Sequence, residues 1–256
     1  MLEAFDTVNT LAEYLKKTQK ILIFTGAGIS TGSGIPDFRG PGGVWSKRKP
    51  VYYQDFMRSQ RARVEHWTYK LEGWDAFRDA QPNAAHLAIA ELEGAGKLLK
   101  LVTQNIDGLH QKAGNSRPNV VELHGTNAEV ECQRCGRRSE PQPHFNQFRE
   151  TGIPPLCACG GCLKQATISF GQNLRPEDTR AAERAALESD LVIALGSSLS
   201  VYPAASLPLL AAERGTPYIV INRGPTEHDS SPLVTLRLEG DVVDILPPAV
   251  KDALSG

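Results

Sequence analysis

Short apolar runs alternate along the chain with segments whose apolar residues recur at helical spacing. Five runs have the length and composition of buried strands: 21–24, 98–102, 120–121, 191–195 and 218–221. Apolar residues three or four positions apart predict helices over 7–17, 87–93, 176–189 and 202–214. Strands that alternate with helices of this length form βαβ units, so the pattern predicts an α/β fold with a doubly wound parallel sheet.

A glycine-dense loop, from Thr25 to Gly40, follows the first predicted strand. At Gly26 and Gly28 the backbone can approach a phosphate without a Cβ atom in the way, which suits a dinucleotide. Thr31 replaces the third glycine of G-x-G-x-x-G, and no Asp or Glu stands about twenty residues on, so hydride transfer is disfavoured. Taken alone, the loop is equally compatible with a tight turn that binds no ligand.

Polar or small residues also follow the other predicted strands. In chain order they are Gln104 to Asp107, His124, Gly196 to Ser198, and Asn222. Because open α/β sheets bind ligands at the carboxyl ends of their strands, we expect these residues to line one cleft.

Taken together, these segments resemble the sirtuins, the NAD-dependent protein lysine deacylases, from about Leu11 to Pro247. The motifs that carry the resemblance are Gly26–Ser30, Gly34–Arg39, Gln104–Asp107, His124–Gly125, two cysteine pairs, Phe170–Gly171, Gly196–Ser198 and Asn222. The resemblance implies a Rossmann-like NAD-binding domain of residues 1–40, 81–127 and 165–256. It also implies a smaller domain built from a helical insertion, 41–80, and a zinc-binding module, 128–164.

The resemblance implies a role for each matching residue. His124 corresponds to the general base that deprotonates a ribose hydroxyl, and Asn105 to the residue that holds the ribose or a water molecule. Asp107, with Ile106, corresponds to the wall of the nicotinamide pocket. The implied NAD-binding residues are Gly26, Ala27, Gly28, Ser30, Asp37, Phe38, Arg39, Trp45, Gln104, Asn105, Ile106, Asp107, Gly196, Ser197, Ser198, Asn222, Arg223, Gly224 and Val242.

The implied reaction is transfer of an acyl group from lysine to ADP-ribose with release of nicotinamide, on an acylated protein or peptide. Gln172 stands where most sirtuins have Glu, and together with the segment 38–45 it resembles a subset that includes weak deacetylases, long-chain deacylases and mono-ADP-ribosyltransferases. Two alternatives therefore stay open, a mono-ADP-ribosyltransferase or NAD glycohydrolase, and an NAD-binding sensor without catalysis. The intact His124, Asn105 and Asp107 disfavour the sensor.

The acyl preference is predicted from the helical insertion. Desuccinylating sirtuins hold the acyl carboxylate with a Tyr-x-x-Arg pair, but the tyrosines of this insertion are followed three places on by Asp55, Phe56 and Glu72. An unpaired carboxylate in an apolar channel is costly, so we expect acetyl or longer apolar groups to be preferred to succinyl. The expectation fails if another cation of the insertion reaches the pocket, such as Arg58, Arg61 or Arg63.

All five cysteines lie between 132 and 162. Cys132 and Cys135 form a C-x-x-C pair, which lets two thiolates reach one tetrahedral zinc. The second pair is ambiguous, because Cys159 can pair with Cys157 or with Cys162; we favour Cys157, since Gly-Gly follows Cys159 in the family pattern. Buried free thiols are the alternative. Four thiolates leave no position for water, so we predict one structural zinc.

Charge and hydropathy exclude several other classes. The formal net charge of −1 gives no field to hold nucleic acid, which also disfavours a nucleic-acid-binding zinc ribbon. No apolar run reaches the roughly 18 residues of a membrane span, and the N-terminus lacks the pattern of a signal peptide. We therefore expect a cytoplasmic protein with no membrane partner. The sequence does not indicate an oligomeric state.

Overall fold

The structure, a computed structural model, describes residues 2–37 and 48–255. The strands of this part of the chain are β1 Ile21–Thr25, β2 Leu98–Thr103, β3 Val120–Glu122, β4 Gly125–Cys132, β5 Arg138–Ser139, β6 Leu163–Thr167, β7 Leu191–Leu195, β8 Tyr218–Asn222 and β9 Leu236–Glu239. Six of them form a parallel sheet in the order β3-β2-β1-β7-β8-β9. This order is that of a doubly wound dinucleotide-binding sheet, so the predicted fold class is confirmed.

Helices connect these strands and cover the sheet. They are α1 Leu2–Lys17, α2 Tyr53–Arg58, α3 Gln60–Asp79, α4 Ala84–Gly94, α5 Leu109–Lys112, α6 Pro141–Thr151, α7 Pro176–Glu188, α8 Ser206–Ala212 and α9 Val242–Leu254, with 3₁₀ helices at Ala27–Ser33 and Arg117–Asn119. The segment directly after β1 forms a 3₁₀ helix. In the described part of the chain, no helix is both long enough and apolar enough to cross a membrane.

The two faces of the parallel sheet carry separate hydrophobic clusters. On β1, Ile21 and Ile23 pack with α1, α4 and α9, whereas Leu22 and Phe24 pack with α7 and α8. Successive strand residues point to opposite faces, so a continuous apolar run is what a strand covered on both sides requires.

A second, antiparallel sheet in the order β5-β4-β6 packs with α2 and α3, the helices of the helical insertion. Its core joins Trp67 of α3 to Phe145 and Phe148 of α6, with ring centroids 5.3 and 5.9 Å from the indole. Two segments distant in sequence therefore share one hydrophobic cluster. The predicted domain boundaries at 127/128 and 164/165 fall inside β4 and β6.

Candidate active site

A cleft of about 1000 Å³ opens at the carboxyl ends of the parallel strands. It spans the point between β1 and β7 where the strand order reverses, which is where open α/β sheets bind ligands. Its lining includes the loops after β1, β2, β7 and β8, residues 167 to 174, and residues of α3.

Glycines after β1 and β7 bring these two loops into direct backbone contact. The Gly28 N–H donates to the Gly196 carbonyl at 2.8 Å, and a Cβ atom on Gly26 would lie 2.8 Å from the same oxygen. Gly196 has φ +60°, and a Cβ there would lie 2.4 Å from the Ile29 nitrogen. Gly26 and Gly28 were predicted to allow close approach of a phosphate. The packing of the two loops already requires glycine at these positions.

The residues after β2 connect the loops to the cleft wall. The Gln104 side-chain amide donates to Ser197 Oγ at 2.8 Å. Asn105 is buried, and its Nδ2 donates to the Gly26 carbonyl at 3.1 Å and to Ser30 Oγ at 3.2 Å. Since both amide hydrogens are used inside the protein, Oδ1 is the atom of Asn105 that can accept from a ligand.

His124 lies between β3 and β4 and lines the same cleft. Its Nδ1 is 3.0 Å from the Gln104 carbonyl oxygen. A carbonyl only accepts, so Nδ1 carries the proton in the neutral ring and Nε2 is the nitrogen that can accept one. The Ile168 N–H donates to the His124 carbonyl at 2.7 Å, which fixes the backbone.

Ser30 and Asp107 lie behind this wall, outside the lining of the main cleft. They border a small adjoining cavity that Asn105 and Ile106 separate from the cleft. Asp107 accepts from Ser30 Oγ at 2.8 Å and from the Leu109 N–H at 2.9 Å. Burial raises the pKa of Asp107, although these hydrogen bonds act to lower it.

Comparison with known proteins agrees with this geometry. The sequence model of the Sir2 family matches residues 26–203. The chain belongs to the Sir2 family. It is 43% identical over 244 residues to an NAD-dependent protein deacetylase of Rhodopseudomonas palustris, covering 95% of this chain and 96% of that protein.

Solved Sir2 structures have the same fold. One, of Sir2 with a p53 peptide and NAD+, is 35% identical, with a TM-score of 0.85 over 95% of this chain and 97% of that one. Another, of Sir2 with deacetylated p53 peptide and 3′-O-acetyl-ADP-ribose, is 36% identical, with a TM-score of 0.86 over 94% of this chain and 96% of that one.

Most residues implied by the sirtuin resemblance line the main cleft of this Sir2 family member. They are Gly26, Ala27, Gly28, Asp37, Gln104, Asn105, Ile106, His124, Gly196, Ser197, Ser198, Asn222, Arg223, Gly224 and Val242. Phe38, Arg39 and Trp45 lie outside the described residues, as does the rest of the segment 38–45.

Residues at the end of β8 and in the loops after β8 and β9 line the cleft and contact one another. Asn222 Nδ2 donates to the Gly224 carbonyl at 2.8 Å. Arg223 forms an ion pair with Asp241, whose other oxygen caps α9 by accepting from the Val243 N–H at 3.1 Å. Asp241 also lines the cleft and was not predicted from the sequence, although its position just before a helix is typical of a cap.

Three cleft residues on α3 were also missed: His66, Tyr69 and Lys70. Positions 66, 69 and 70 lie on one face of a helix, because residues three and four apart are neighbours. Their spacing predicts that they share one face of a helix, but no local pattern indicates that this face lines the cleft.

Gln172 closes its own turn. Its Oε1 accepts from the Ser169 N–H at 3.1 Å, and its N–H donates to the Ser169 carbonyl at 3.0 Å. Gln54 reaches the same turn from α2 and donates to the Gly171 carbonyl at 2.9 Å. The residue that departs from the usual sirtuin pattern thus shapes the loop beside the cleft.

Four cysteine thiols converge at the tip of the antiparallel sheet. The sulfur atoms of Cys132, Cys135, Cys157 and Cys159 all lie within 4.8 Å of one another. Cys132 Sγ is 3.5 Å from Cys159 Sγ, and Cys135 Sγ is 3.8 Å from Cys157 Sγ. Tetrahedral zinc–thiolate bonds place sulfur atoms about 3.8 Å apart, so this set fits one zinc ion. Cys162, the alternative partner, is not in the cluster.

The backbone around Cys132 favours its thiolate, whereas the neighbouring thiols raise the pKa of Cys159 when no metal is bound. Burial disfavours ionisation of Cys132, but hydrogen bonds from the backbone N–H groups of Cys135 and Arg134 outweigh it and lower the pKa of its thiol. Gly161 lies directly against the cluster, since a Cβ there would be 2.6 Å from Cys132 Sγ. This contact accounts for the glycine after Cys159-Gly160.

Proposed function

We propose that this chain is an NAD-dependent protein lysine deacetylase that acts on acetylated proteins or peptides. One observation carries the proposal: His124, with Nε2 as its proton-accepting nitrogen, lines the same cleft as the paired loops after β1 and β7. Membership of the Sir2 family and relatives named NAD-dependent protein deacetylases support it.

The cleft fits a dinucleotide. It lies at the reversal point of the strand order, and Gln104, Ser198 and Asn222 line it. The side-chain oxygens of Gln104 and Asn222 can accept from ribose hydroxyls, because their amide N–H groups are held inside the protein. NAD, when bound, supplies the ADP-ribosyl acceptor for the acyl group. We assign its binding to the residues implied by the family, with Asn222 to Gly224 and Val242 at the adenosine end.

His124 acts as the general base in this proposal. The Gln104 carbonyl holds the proton on Nδ1, so Nε2 takes up a proton from a hydroxyl group of the bound substrate. The bond also fixes the direction of the ring before a substrate binds.

Asn105 and Asp107 act together with Ser30. Asn105 presents Oδ1 to a ribose hydroxyl or an ordered water, because Gly26 and Ser30 hold its Nδ2. Asp107 fixes Ser30, which in turn orients Asn105. We therefore assign Asp107 a positioning role; it does not line the main cleft itself.

The cysteine cluster holds one structural zinc in this proposal. Four protein thiolates complete a tetrahedral shell, so no position remains for a catalytic water. The metal would tie the end of β4 to the segment 157–159, in a module whose sheet has three strands. Reduced thiols suit a reducing compartment, which is the ground for proposing a cytoplasmic location.

The decisive experiment incubates the protein with NAD and an acetyl-lysine peptide and follows all products by mass spectrometry. We expect deacetylated peptide, nicotinamide and O-acetyl-ADP-ribose in equal amounts. Nicotinamide release without peptide would support an NAD glycohydrolase instead, and a mass increase of the peptide by ADP-ribose would support a transferase. An absence of any turnover, with NAD bound, would support the sensor.

A further inference from the structure

The guanidinium group of Arg237 holds the backbone at the end of β8. Arg237 lies on the edge strand β9, and its side chain is 22% exposed. Its Nη1 donates to the Asn222 carbonyl at 3.0 Å, and its Nη2 donates to the Gly224 carbonyl at 2.7 Å. Its Nε donates to Asp229 Oδ1 at 2.9 Å. Each nitrogen atom of this guanidinium therefore binds one short segment of the chain, residues 222–229.

Arginine suits this position because its donors are fixed in one plane. A guanidinium presents five N–H groups in a rigid fork, so one side chain reaches two carbonyl oxygens and a carboxylate at the same time. The carboxylate of Asp229 supplies the opposite charge that a partly buried cation needs. A lysine at position 237 would offer a single nitrogen and would not reproduce this set of contacts.

The Gly224 carbonyl connects Arg237 to the side chain of Asn222. This oxygen accepts from Arg237 Nη2 at 2.7 Å and from Asn222 Nδ2 at 2.8 Å. A carbonyl oxygen has two lone pairs, so it accepts both bonds together. Asn222 lines the cleft, and the bond from its Nδ2 sets the orientation of the amide and with it the position of Oδ1. Arg237 therefore acts on a cleft atom through one intervening carbonyl.

The same segment also contacts the loop after β7. The Glu227 N–H donates to the Ser198 carbonyl at 3.0 Å. Asp229 accepts from the Thr226 N–H at 2.9 Å and so shapes the turn that carries Glu227. Arg237 is not one of the described residues that line the cleft. Its effect on a bound cofactor is therefore indirect.

We propose that Arg237 is a positioning residue for NAD: by holding the Gly224 carbonyl, it orients the Asn222 amide so that Oδ1 accepts a hydrogen bond from the ribose of the adenosine half. The inference rests on the proposed function, which assigns the adenosine end of the cofactor to this part of the cleft. Because Arg237 lies outside the cleft, its loss should weaken cofactor binding and leave the chemical step at saturating NAD unchanged.

Calorimetric titration of Arg237→Met with NAD measures the effect. Methionine keeps an unbranched side chain and removes every donor, so we expect Kd and KM for NAD to rise about fivefold or more. We expect kcat at saturating NAD, and KM for the acetyl-lysine peptide, to stay within about twofold of wild type. A general loss of structure would not produce this division.

Arg214→Met is the matched control, because Arg214 is an exposed arginine in the turn before β8. It should bind NAD as the wild type does. Wild-type NAD affinity in a folded Arg237→Met variant, or a loss of kcat with unchanged affinity, would overturn the proposal.

A double-mutant cycle tests the route through Asn222. Asn222→Ala removes the group through which Arg237 acts, so adding Arg237→Met to it should have little further effect. We expect the single variant Asn222→Ala and the double variant to bind NAD with affinities within about twofold of each other. Losses of affinity that multiply independently would show that Arg237 acts on NAD by another route, which would also overturn the proposal.

Thermal unfolding of each variant shows whether the fold is retained. If Arg237→Met does not fold, Arg237→Lys replaces it in the binding experiment. It keeps the positive charge beside Asp229 and loses the forked contact with the two carbonyls. We expect it to bind NAD at least about threefold more weakly than wild type, and wild-type affinity would overturn the proposal in the same way.

The wild-type protein separates this inference from the proposed function. If it binds NAD and deacetylates the peptide while Arg237→Met binds NAD equally well, only the role of Arg237 is contradicted. If the wild-type protein does not bind NAD, the proposed function itself is contradicted, and the inference fails with it.

Discussion

The Nδ1 atom of His124 lies 3.0 Å from the backbone carbonyl oxygen of Gln104. The two residues follow neighbouring parallel strands, β3 and β2, so the sheet itself sets the distance between them. The same residue, Gln104, uses its side chain to hold Ser197 of the loop after β7. One backbone position thus fixes the tautomer of the proposed base and connects it to the opposite loop.

Replacing His124 by Ala should remove turnover and leave cofactor binding intact. The base acts on a substrate that is already bound, so we expect kcat to fall at least about a hundredfold while the affinity for NAD changes by less than about threefold. The measurements are peptide deacetylation by mass spectrometry and NAD binding by calorimetry.

His144→Ala is a suitable control, because His144 lies on α6 and contacts Ser139, away from the cleft. It should keep wild-type rates. Wild-type rates in His124→Ala would remove His124 from the mechanism, and a large loss of NAD affinity would assign it to binding instead.

The cysteine geometry predicts one zinc per chain and names its ligands. Cys157→Ser should lower both zinc content and thermal stability, because it removes one of four converging thiolates. Cys162→Ser is the matched control: it changes the neighbouring cysteine that lies outside the cluster and should retain a full equivalent of zinc. Metal analysis of protein purified without chelator gives both answers.

The opposite result, zinc lost in Cys162→Ser and kept in Cys157→Ser, would mean that the second pair is Cys159 with Cys162. Zinc retained after Cys132 and Cys135 are both changed to Ser would contradict the site as a whole.

The parallel sheet could be predicted because its strands are buried on both faces. Residues 191–195 form an unbroken apolar run, and β7 occupies the same five positions. The edge strand β9, Leu236–Glu239, was missed because its residues alternate between apolar and charged and most of them stay partly exposed. β4 was missed for a related reason: its sequence is polar, and its stability comes from residues far away in the chain, such as Trp67.

The site residues also fall into two groups, those that a local sequence pattern predicts and those that depend on contacts between distant segments. Residues directly after buried strands, such as Asn105 and His124, were predicted because parallel strands end at a common edge. Lys70 reaches the cleft from a helix whose orientation depends on packing against α6 and β6, and no local pattern encodes that. The choice between Cys157 and Cys162 depended on loop geometry, which spacing alone left open.

Gly152 and Gly196 have similar φ angles but different surroundings, so substitutions at the two positions distinguish backbone strain from a steric clash. Gly152 has φ +65° and Gly196 has φ +60°, but a Cβ on Gly152 would meet nothing within 4 Å, whereas one on Gly196 would lie 2.4 Å from the Ile29 nitrogen. Gly152→Ala should therefore lower the free energy of unfolding by about 1 kcal/mol, from the left-handed conformation alone. Gly196→Ala should cost about 3 kcal/mol or more, because the two loops must separate.

Denaturant unfolding measures both values, and NAD binding should weaken only in Gly196→Ala. Equal losses of stability in the two variants would show that the loops after β1 and β7 can separate freely. In that case their contact would not be what requires glycine.

Glu93 anchors the segment that leads into β3. Its carboxylate accepts from the Asn115 side chain at 2.8 Å, from the Asn119 side chain at 2.9 Å, and from the N–H and hydroxyl of Ser116. Burial acts to raise the pKa of Glu93, but these hydrogen bonds outweigh it, so the pKa in the folded protein is lowered. A lowered pKa means that the hydrogen bonds of the folded state stabilise the ionised carboxylate of Glu93 more than the protonated carboxyl group.

The stability that Glu93 supplies should therefore be complete above its unfolded pKa of about 4.3 and be lost as the pH falls through its lower folded value. At pH 7, Glu93→Gln should lower the free energy of unfolding by about 1 kcal/mol, because an amide replaces one acceptor oxygen by a donor. The difference from wild type should shrink below about pH 4, since protonation removes the charge in the wild type as well. Glu91→Gln changes an exposed carboxylate on the same helix and should have little effect at either pH. Urea unfolding at several pH values checks this, and a Glu93→Gln deficit that stays constant down to pH 3 would mean that hydrogen-bond geometry, and not the charge, supplies the stability.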